Sequence, residues 1–359
     1  MWFHSVFLKT LRDHRVAILG WGLGIGVLAP IVFAGVTSVL LTSPQAKNEL
    51  LTLTRNPALR LFAEPVDVLT PGGYATWRLS MVLPLVAIWA LLTVSRTLRG
   101  EEEHGGLDTL LSVPRSRLRI AAEKLAAVAL SLLLIGLLIS ALAFAGAAAI
   151  GVDLAPGRAF LFGLNTSLFA LVFGAIALLV SQFTSEARTA AGITGILLGL
   201  SFVLTSASRV VSGGEWIGQL SPLHFFELNK PLVASYAVHW GAMTVMAVLA
   251  SVLTVPGVVL FTRRDIGAPI ALPMLHFPER RRPHEIPFRA WSLQSVFARN
   301  LSTAARSAMW WSVAVGCYTL MLTTLLRQLQ HDIDDLIADL VRSNPSTARS
   351  SPASRTAAV

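Results

Sequence analysis

Seven stretches of this chain run for 17 to 32 residues without a formal charge. The longest lie between Arg15 and Lys47 (31 residues), Lys124 and Asp153 (28), Arg158 and Glu186 (27), and Lys230 and Arg263 (32). Arg188 to Arg209 and Arg306 to Arg327 enclose 20 residues each, and Arg78 to Arg96 encloses 17. A helix that crosses a bilayer needs about 20 apolar residues. The shortest run still reaches if its flanking arginines extend toward the headgroups. The spacing predicts spans near 18–40, 77–97, 124–149, 159–182, 189–208, 236–261 and 307–326. Between Asp265 and Glu279 the uncharged run is only 13 residues and holds Pro269, Pro273 and Pro278, so it reads as loop. Charged residues make up 14% of the chain, against roughly 25% in soluble domains. A soluble enzyme, a coiled coil and a disordered chain are excluded, and the expected fold class is an all-α polytopic membrane protein.

The net charge of +9 is distributed unevenly. With the N-terminus inside, the inner segments 1–15, 96–124, 184–188 and 262–306 carry 18 Lys and Arg, and the outer segments 43–76, 151–158, 209–235 and 327–359 carry 10. The excess of Lys and Arg in cytoplasmic loops then sets the orientation, with the N-terminus cytoplasmic and the chain in the cell membrane. No basic patch is interleaved with aromatics on a soluble domain, so nucleic acid is not an expected partner. The first apolar run is twice the length of a signal-peptide core, so it reads as a permanent span. The lone cysteine, Cys317, gives no intrachain disulfide.

Residues 2–15 read as an amphipathic interfacial helix, with Phe3, Val6, Phe7 and Leu11 on one face and Lys9, Arg12 and Asp13 on another. The pattern returns 290 residues later: Ser5-Val6-Phe7 matches Ser295-Val296-Phe297, Lys9 matches Arg299, Leu11 matches Leu301, Trp21 matches Trp311 and Gly26 matches Gly316. Residues 1–262 then form one unit of about six spans. Residues 263–289 form a cytoplasmic linker. Residues 290–342 hold an interfacial helix, a seventh span and a short amphipathic helix that open a second unit. The tail 343–359, rich in Ser, Thr, Ala, Pro and Arg, is expected to be disordered.

Catalytic and metal signatures are missing from the sequence. It has no G-x-x-x-x-G-K-[ST], so the chain has no P-loop for ATP. His331, Asp332, Asp334 and Asp335 fan around a helix instead of converging, and His276, His284 and Glu285 sit beside Arg280, Arg281 and Arg282, which repel a cation. The informative segment is the loop between spans two and three. Arg99 and Glu101, Glu102 and Glu103 end the span, and Gly105-Gly106 permits a tight bend. Leu107, Leu110 and Leu111 then form an apolar knob on a short helix that stops before Pro114, and Ser116 is placed to cap the next helix. A short rigid helix with an apolar tip suits insertion into a groove on another protein. The plain alternative is a loop made polar by its position.

The pattern Arg96-x-x-Arg99-x-Glu101-Glu102-x-x-Gly105-x-Leu107-x-x-Leu110-Leu111-Ser112-x-Pro114-x-Ser116-Arg117, followed by Lys124-Leu125, resembles the permease subunits of type-2 ABC exporters. In that family the loop is a coupling helix that docks on a separate ATPase subunit. The resemblance therefore implies an ATPase interface at Glu101, Glu102, Glu103, Gly105, Gly106, Leu107, Leu110 and Leu111. The turn Ser181 to Arg188 sits where the family has a second, shorter contact, which adds Glu186 and Arg188. The segment Leu220-Ser221-Pro222-Leu223-His224-Phe225-Phe226 is similar to the family's Ser-Pro-aromatic segment between spans five and six. Residues 290 onward resemble the start of a second permease half, as in long two-half antibiotic exporters, so the chain looks truncated or split.

The expected function is that of an exporter permease, with no enzyme activity or bound cofactor of its own and with ATP and Mg on the partner subunit. The expected partners are an ABC-type ATPase, a second permease half and the bilayer. Asn165, Thr166, Ser167, Ser201 and Thr205 are the polar residues inside the spans that could line a substrate path, although such residues also pack helices. An uncharged route suits a hydrophobic or amphipathic cargo. Two other classes compete. A secondary transporter would place charges within its spans, and the runs have none. A membrane anchor or sensor would need a sizeable soluble domain, which the short segments between spans do not offer.

Overall fold

The computed structural model describes residues 5–42, 44–55, 61–103, 116–211, 213–265 and 269–270, with single positions at 59, 105, 295, 309, 312 and 316. The chain divides into two units, 1–279 and 280–359. The helices below belong to the first. The expected seventh span and second interfacial helix lie outside the described residues apart from those single positions, as does the tail. Among the described residues every regular element is a helix.

Helix α1 (Val6–Asp13) forms within 2–15, where the sequence places an amphipathic helix. Ser5 Oγ caps it by accepting from the Leu8 N–H (3.2 Å). The free N–H groups of Val6 and Phe7 donate to Glu123 Oε2 at 2.9 and 3.3 Å, where a carboxylate suits the positive end of the helix dipole. Helices α2 (Arg15–Gly26) and α3 (Leu28–Thr42) make one bent span. The bend falls at Val27 because Pro30 has no N–H for the Gly26 carbonyl. Helix α4 (Pro44–Arg55) follows.

The second expected span, 77–97, is not one helix. It divides into α5 (Pro71–Leu79) and α6 (Leu85–Ser95). Between them tight turns take over, with the Val82 N–H on the Leu79 carbonyl and the Leu85 N–H on the Val82 carbonyl. Pro84 is the cause: it lacks a donor, and its ring would meet the Ser80 carbonyl in a continuous helix. A π-helical turn, Arg96–Gly100, carries α6 into α7 (Glu101–Glu103).

Helix α8 (Arg117–Ile150) has 34 residues, a length of about 51 Å at 1.5 Å per residue. That exceeds a hydrocarbon core of about 30 Å, so its first turns extend the bundle. Ser116 caps it through the Arg119 N–H (3.3 Å), as the sequence predicts. Gly151 ends it at φ 79, a left-handed conformation that costs glycine nothing. The remaining helices are α9 (Pro156–Val180), α10 (Ala187–Val210), the short α11 (Glu215–Gly218) and α12 (Pro222–Glu227), and α13 (Trp240–Arg263).

Among the described residues five helical stretches are long and apolar enough to cross a membrane: Arg15–Ser38 through the α2–α3 junction, α8, α9, α10 and α13. The broken α5–α6 passage is a sixth apolar segment. Helix α9 is the central one and packs on α6, α8, α10 and α13. Phe169, Phe173, Leu132, Ile135, Ile139 and Leu178 fill the core around it. Where α8 and α9 touch, Gly136 and Gly163 bring bare backbone together, and a Cβ on either would overlap the other's carbonyl oxygen. Val16, Leu19 and Ile31 on the first span, Ile196, Leu200 and Val203 on α10, and Val248, Val252 and Val255 on α13 all face outward. So much exposed aliphatic surface on one molecule fits lipid, not water.

Candidate functional site

Of the three glutamates of α7, Glu102 is buried, and Glu101 and Glu103 are partly open to solvent. Each is held by a different part of the bundle. The Glu102 side chain is 3% exposed. Its carboxylate accepts from Arg99 Nη1 (2.7 Å) and, with both oxygens, from Arg264 Nη2 (2.7 Å each). Arg99, 1% exposed, also donates from Nε to the Ser185 carbonyl (3.1 Å). Arg264 donates from Nε to Gln182 Oε1 (2.9 Å), and its own carbonyl accepts from Arg117 Nη1 (2.9 Å). The Gln182 carbonyl accepts from the Ile270 N–H (3.0 Å). Burial lowers the Arg264 pKa from its ordinary value, and Glu102 opposes that shift. Two buried guanidiniums around one buried carboxylate is an arrangement in which removing any member leaves a bare charge.

Glu101 and Glu103 complete the node. Lys124, buried in α8, donates to Glu101 and to the Thr97 carbonyl (3.0 Å). Glu103 accepts from the Ala187 N–H and so caps the first turn of α10. Glu186, expected at the second contact, occupies the cap position of α10 without a side-chain cap bond. Gly105 has φ 70, the left-handed bend expected there. Gly106, Leu107, Leu110 and Leu111 lie outside the described residues.

Beside the node a groove of about 890 Å³ runs between α6 and α10. Its upper walls are apolar, with Ile88, Leu92 and Leu198 among them. Its lower rim carries Arg96, Glu101, Glu103 and Arg188. Gly192 and Gly195 line it, and with Gly199 they leave open space along α10.

The polar residues that could line a path lie inside the bundle, Asn165 at a small cavity and Thr205 at a polar recess. Asn165, Thr166, Ser167, Ser201 and Thr205 are all buried. Thr166 Oγ1 donates to the Phe162 carbonyl (3.0 Å), and Ser167 Oγ donates to the Leu132 carbonyl (2.8 Å) at the α8–α9 contact. Ser201 and Thr205 hydrogen-bond to Ser221, the cap of α12 (2.6 and 2.7 Å). None of the five lines the α6–α10 groove.

At the end of the bundle away from the node, α12 is tied down by charge. Arg209 pairs with Glu227, and Lys230 Nζ with Glu64 (3.1 Å). The Lys230 ammonium also lies 4.8 Å from the centre of the Tyr236 ring. These groups and His224 surround a polar recess of about 390 Å³. Burial, helped by the Arg209 and Lys230 charges, holds the His224 pKa below its ordinary value, and burial pushes the Glu227 carboxyl up against the pull of Arg209.

Arg99, Arg117, Lys124, Gln182 and Arg264 join the node although the sequence assigns none of them a role in it. In the sequence the four charged ones look like charges that mark span ends, and Gln182 looks like any polar turn residue. The usable signal was the Arg99–Glu102 spacing of three along one helix, which lets the two side chains meet.

A multi-pass helical membrane protein, with lipid-facing helices and its charges gathered at the two ends, is the class that this fold and site define. The profile of the ABC-2 family transporter proteins matches residues 7–266, and the chain belongs to that family. It is also 27% identical over 259 residues to a multidrug efflux system permease protein of Mycobacterium tuberculosis. That match covers 72% of this chain and 45% of the relative's length.

Proposed function

We propose that this chain is the membrane permease of an ATP-driven exporter and couples hydrolysis on a separate ABC-type ATPase to export of a hydrophobic or amphipathic compound. The observation that carries the reading is the node at α7. Residues 104–115 leave from Glu103 and return at Ser116, and α7, which continues α6 through the π-helical turn, grips three further spans through its carboxylates. Glu101 holds α8 through Lys124, Glu102 holds the end of α13 through Arg264 and pairs with Arg99 of the turn, and Glu103 holds the start of α10. A partner that moves the 104–115 loop therefore moves α6, α8, α10 and α13 together. Coupling needs such a shared element, whose two positions are biased by the nucleotide state at one end and by cargo at the other.

ATP and Mg sit on the partner in this reading, and the chain itself is not an enzyme. Its N-terminus faces the cytoplasm across the cell membrane. A second permease half, a further copy or a separate chain, closes the α6–α10 groove. The open glycine positions along α10 support close helix approach there. The groove's aliphatic walls suit an apolar cargo, and the named relative supports efflux.

The test is at Leu110. An apolar anchor seated in a partner typically contributes about 2 kcal/mol or more, and in sequence this leucine falls between α7 and α8. Leu110→Asp is expected to abolish co-purification of the ATPase and to reduce ATP turnover in lipid while the chain still inserts. Full binding and full turnover would leave 104–115 a plain loop and remove the ATPase-coupled reading.

A further inference from the structure

The amide of Asn165 is 2% exposed, and its orientation is fixed. Nδ2 donates to the Phe226 carbonyl at 2.9 Å, and turning the amide over would set two oxygens against each other. Oδ1 is left as an acceptor, and among the described residues it is the buried side-chain polar atom without a hydrogen-bond partner. Buried polar groups are otherwise satisfied by protein or by ordered water.

Asn165 lines a cavity of about 30 Å³ together with Thr76, Ser80, Glu227, Asn229 and Lys230. A water needs roughly 10–15 Å³ of such space and two to four polar partners. The Thr76 hydroxyl donates to the Gly72 carbonyl (2.8 Å) and the Ser80 hydroxyl to the Thr76 carbonyl (2.5 Å), which leaves both oxygens as acceptors. Lys230 supplies N–H donors. The charges at the cavity cancel in pairs, Glu227 with Arg209 and Glu64 with Lys230, so a neutral occupant fits better than an ion. Glu64, Glu227 and Lys230 also line the polar recess of about 390 Å³, which places the cavity at its deep end.

We propose that Asn165, with Thr76, Ser80 and Lys230, builds an ordered-water site at the tip of a hydrated recess. The water links α9 to the broken α5–α6 span and to the segment after α12. Asn165 is thus a water ligand, whatever cargo the chain moves.

Hydroxyl-radical labelling of the full chain in lipid nanodiscs tests the site, because radicals formed from bound water oxidise the rings beside it. Phe162 and Phe226 line the cavity. Phe169 and Phe173 are fully buried in the apolar core. Labelling of Phe162 and Phe226 is expected to run several-fold faster than that of Phe169 and Phe173, and to fall to the core rate in Asn165→Leu. Equal labelling of all four rings in the wild type would overturn the proposal, and that comparison stands even if the variant fails to fold. Replacing sodium and potassium with N-methylglucamine is expected to change nothing, and a loss of stability on that exchange would assign the site to a cation instead. In a structure that resolves ordered water, a peak within hydrogen-bonding distance of Oδ1 supports the site. Lys230 Nζ bonded directly to Oδ1 refutes it.

Discussion

Glu101 and Glu102 are neighbours in sequence and opposites in environment. In the sequence both read alike, as charges that end a span. The structure buries Glu102 between two guanidiniums, whereas the Glu101 side chain is 38% exposed beside Lys124. Removing one member of a buried ion group costs about 3–5 kcal/mol; Glu101 is itself partly open to solvent, and its loss leaves the buried Lys124 still bonded to the Thr97 carbonyl. Glu102→Gln is expected to lower the thermal midpoint in detergent strongly and with little salt dependence, and Glu101→Gln to lower it less. His224 gives a pH signature. Its folded pKa lies below the ordinary value of about 6.5. The stability it contributes is therefore complete above about pH 6.5 and is lost as the pH falls, because the unfolded chain takes up the proton first. Glu227, with its raised carboxyl, contributes the opposite slope, so the informative quantity is a difference. His224→Gln is expected to lose less stability than the wild type on acidification, read as thermal midpoint against pH. Little of this was legible in the sequence, because a charge that ends a span and a charge that clasps three helices look alike along the chain. What separates them is Arg264 folding back onto Glu102, 162 residues away.

Run length and charge were enough to locate α8, α9, α10 and α13, since bilayer thickness fixes how much apolar chain a span needs. Scanning for charge alone hid the break at Pro84, which carries none, and so 77–97 reads as one helix where the backbone cannot make one. The α8–α9 contact was hidden for a different reason. Gly136 and Gly163 are two of many glycines in apolar runs, and only their pairing across the two helices gives them weight. Gly163→Val is expected to force the helices apart, with an overpacking cost of about 1–3 kcal/mol or more and a fall in folded yield. Gly192→Ala, at a position with open space, is expected to leave the thermal midpoint unchanged or slightly raised, since alanine favours the helix by about 1 kcal/mol over glycine.

At the scale of the described bundle, aliphatic faces suited to lipid adjoin a groove whose rim mixes Arg96 and Arg188 with Glu101 and Glu103. Lipid tails leave such charges unanswered, and a second permease half would not. Gly195→Trp fills the groove without touching the core, because nothing lies within 4 Å of that position. It is expected to leave folding intact while reducing cross-linking between halves and efflux of an apolar dye from cells. Unchanged cross-linking and efflux would place the second half on another face. The groove was not legible in the sequence, since its walls come from α6 and α10, far apart along the chain, and are lined largely by residues that read as ordinary span interior.

The hold on Arg264 also bears on how such a chain can be cut and joined. Its side chain is gripped by Glu102 and Gln182 and its backbone by Arg117, and a few residues on the Ile270 N–H is tied to the Gln182 carbonyl. The polypeptide is therefore clamped just beyond α13, in the way a cable is secured before it leaves a housing. Severing the stretch after 270 is therefore expected to leave these bonds in place and the thermal midpoint of the helices before them unchanged.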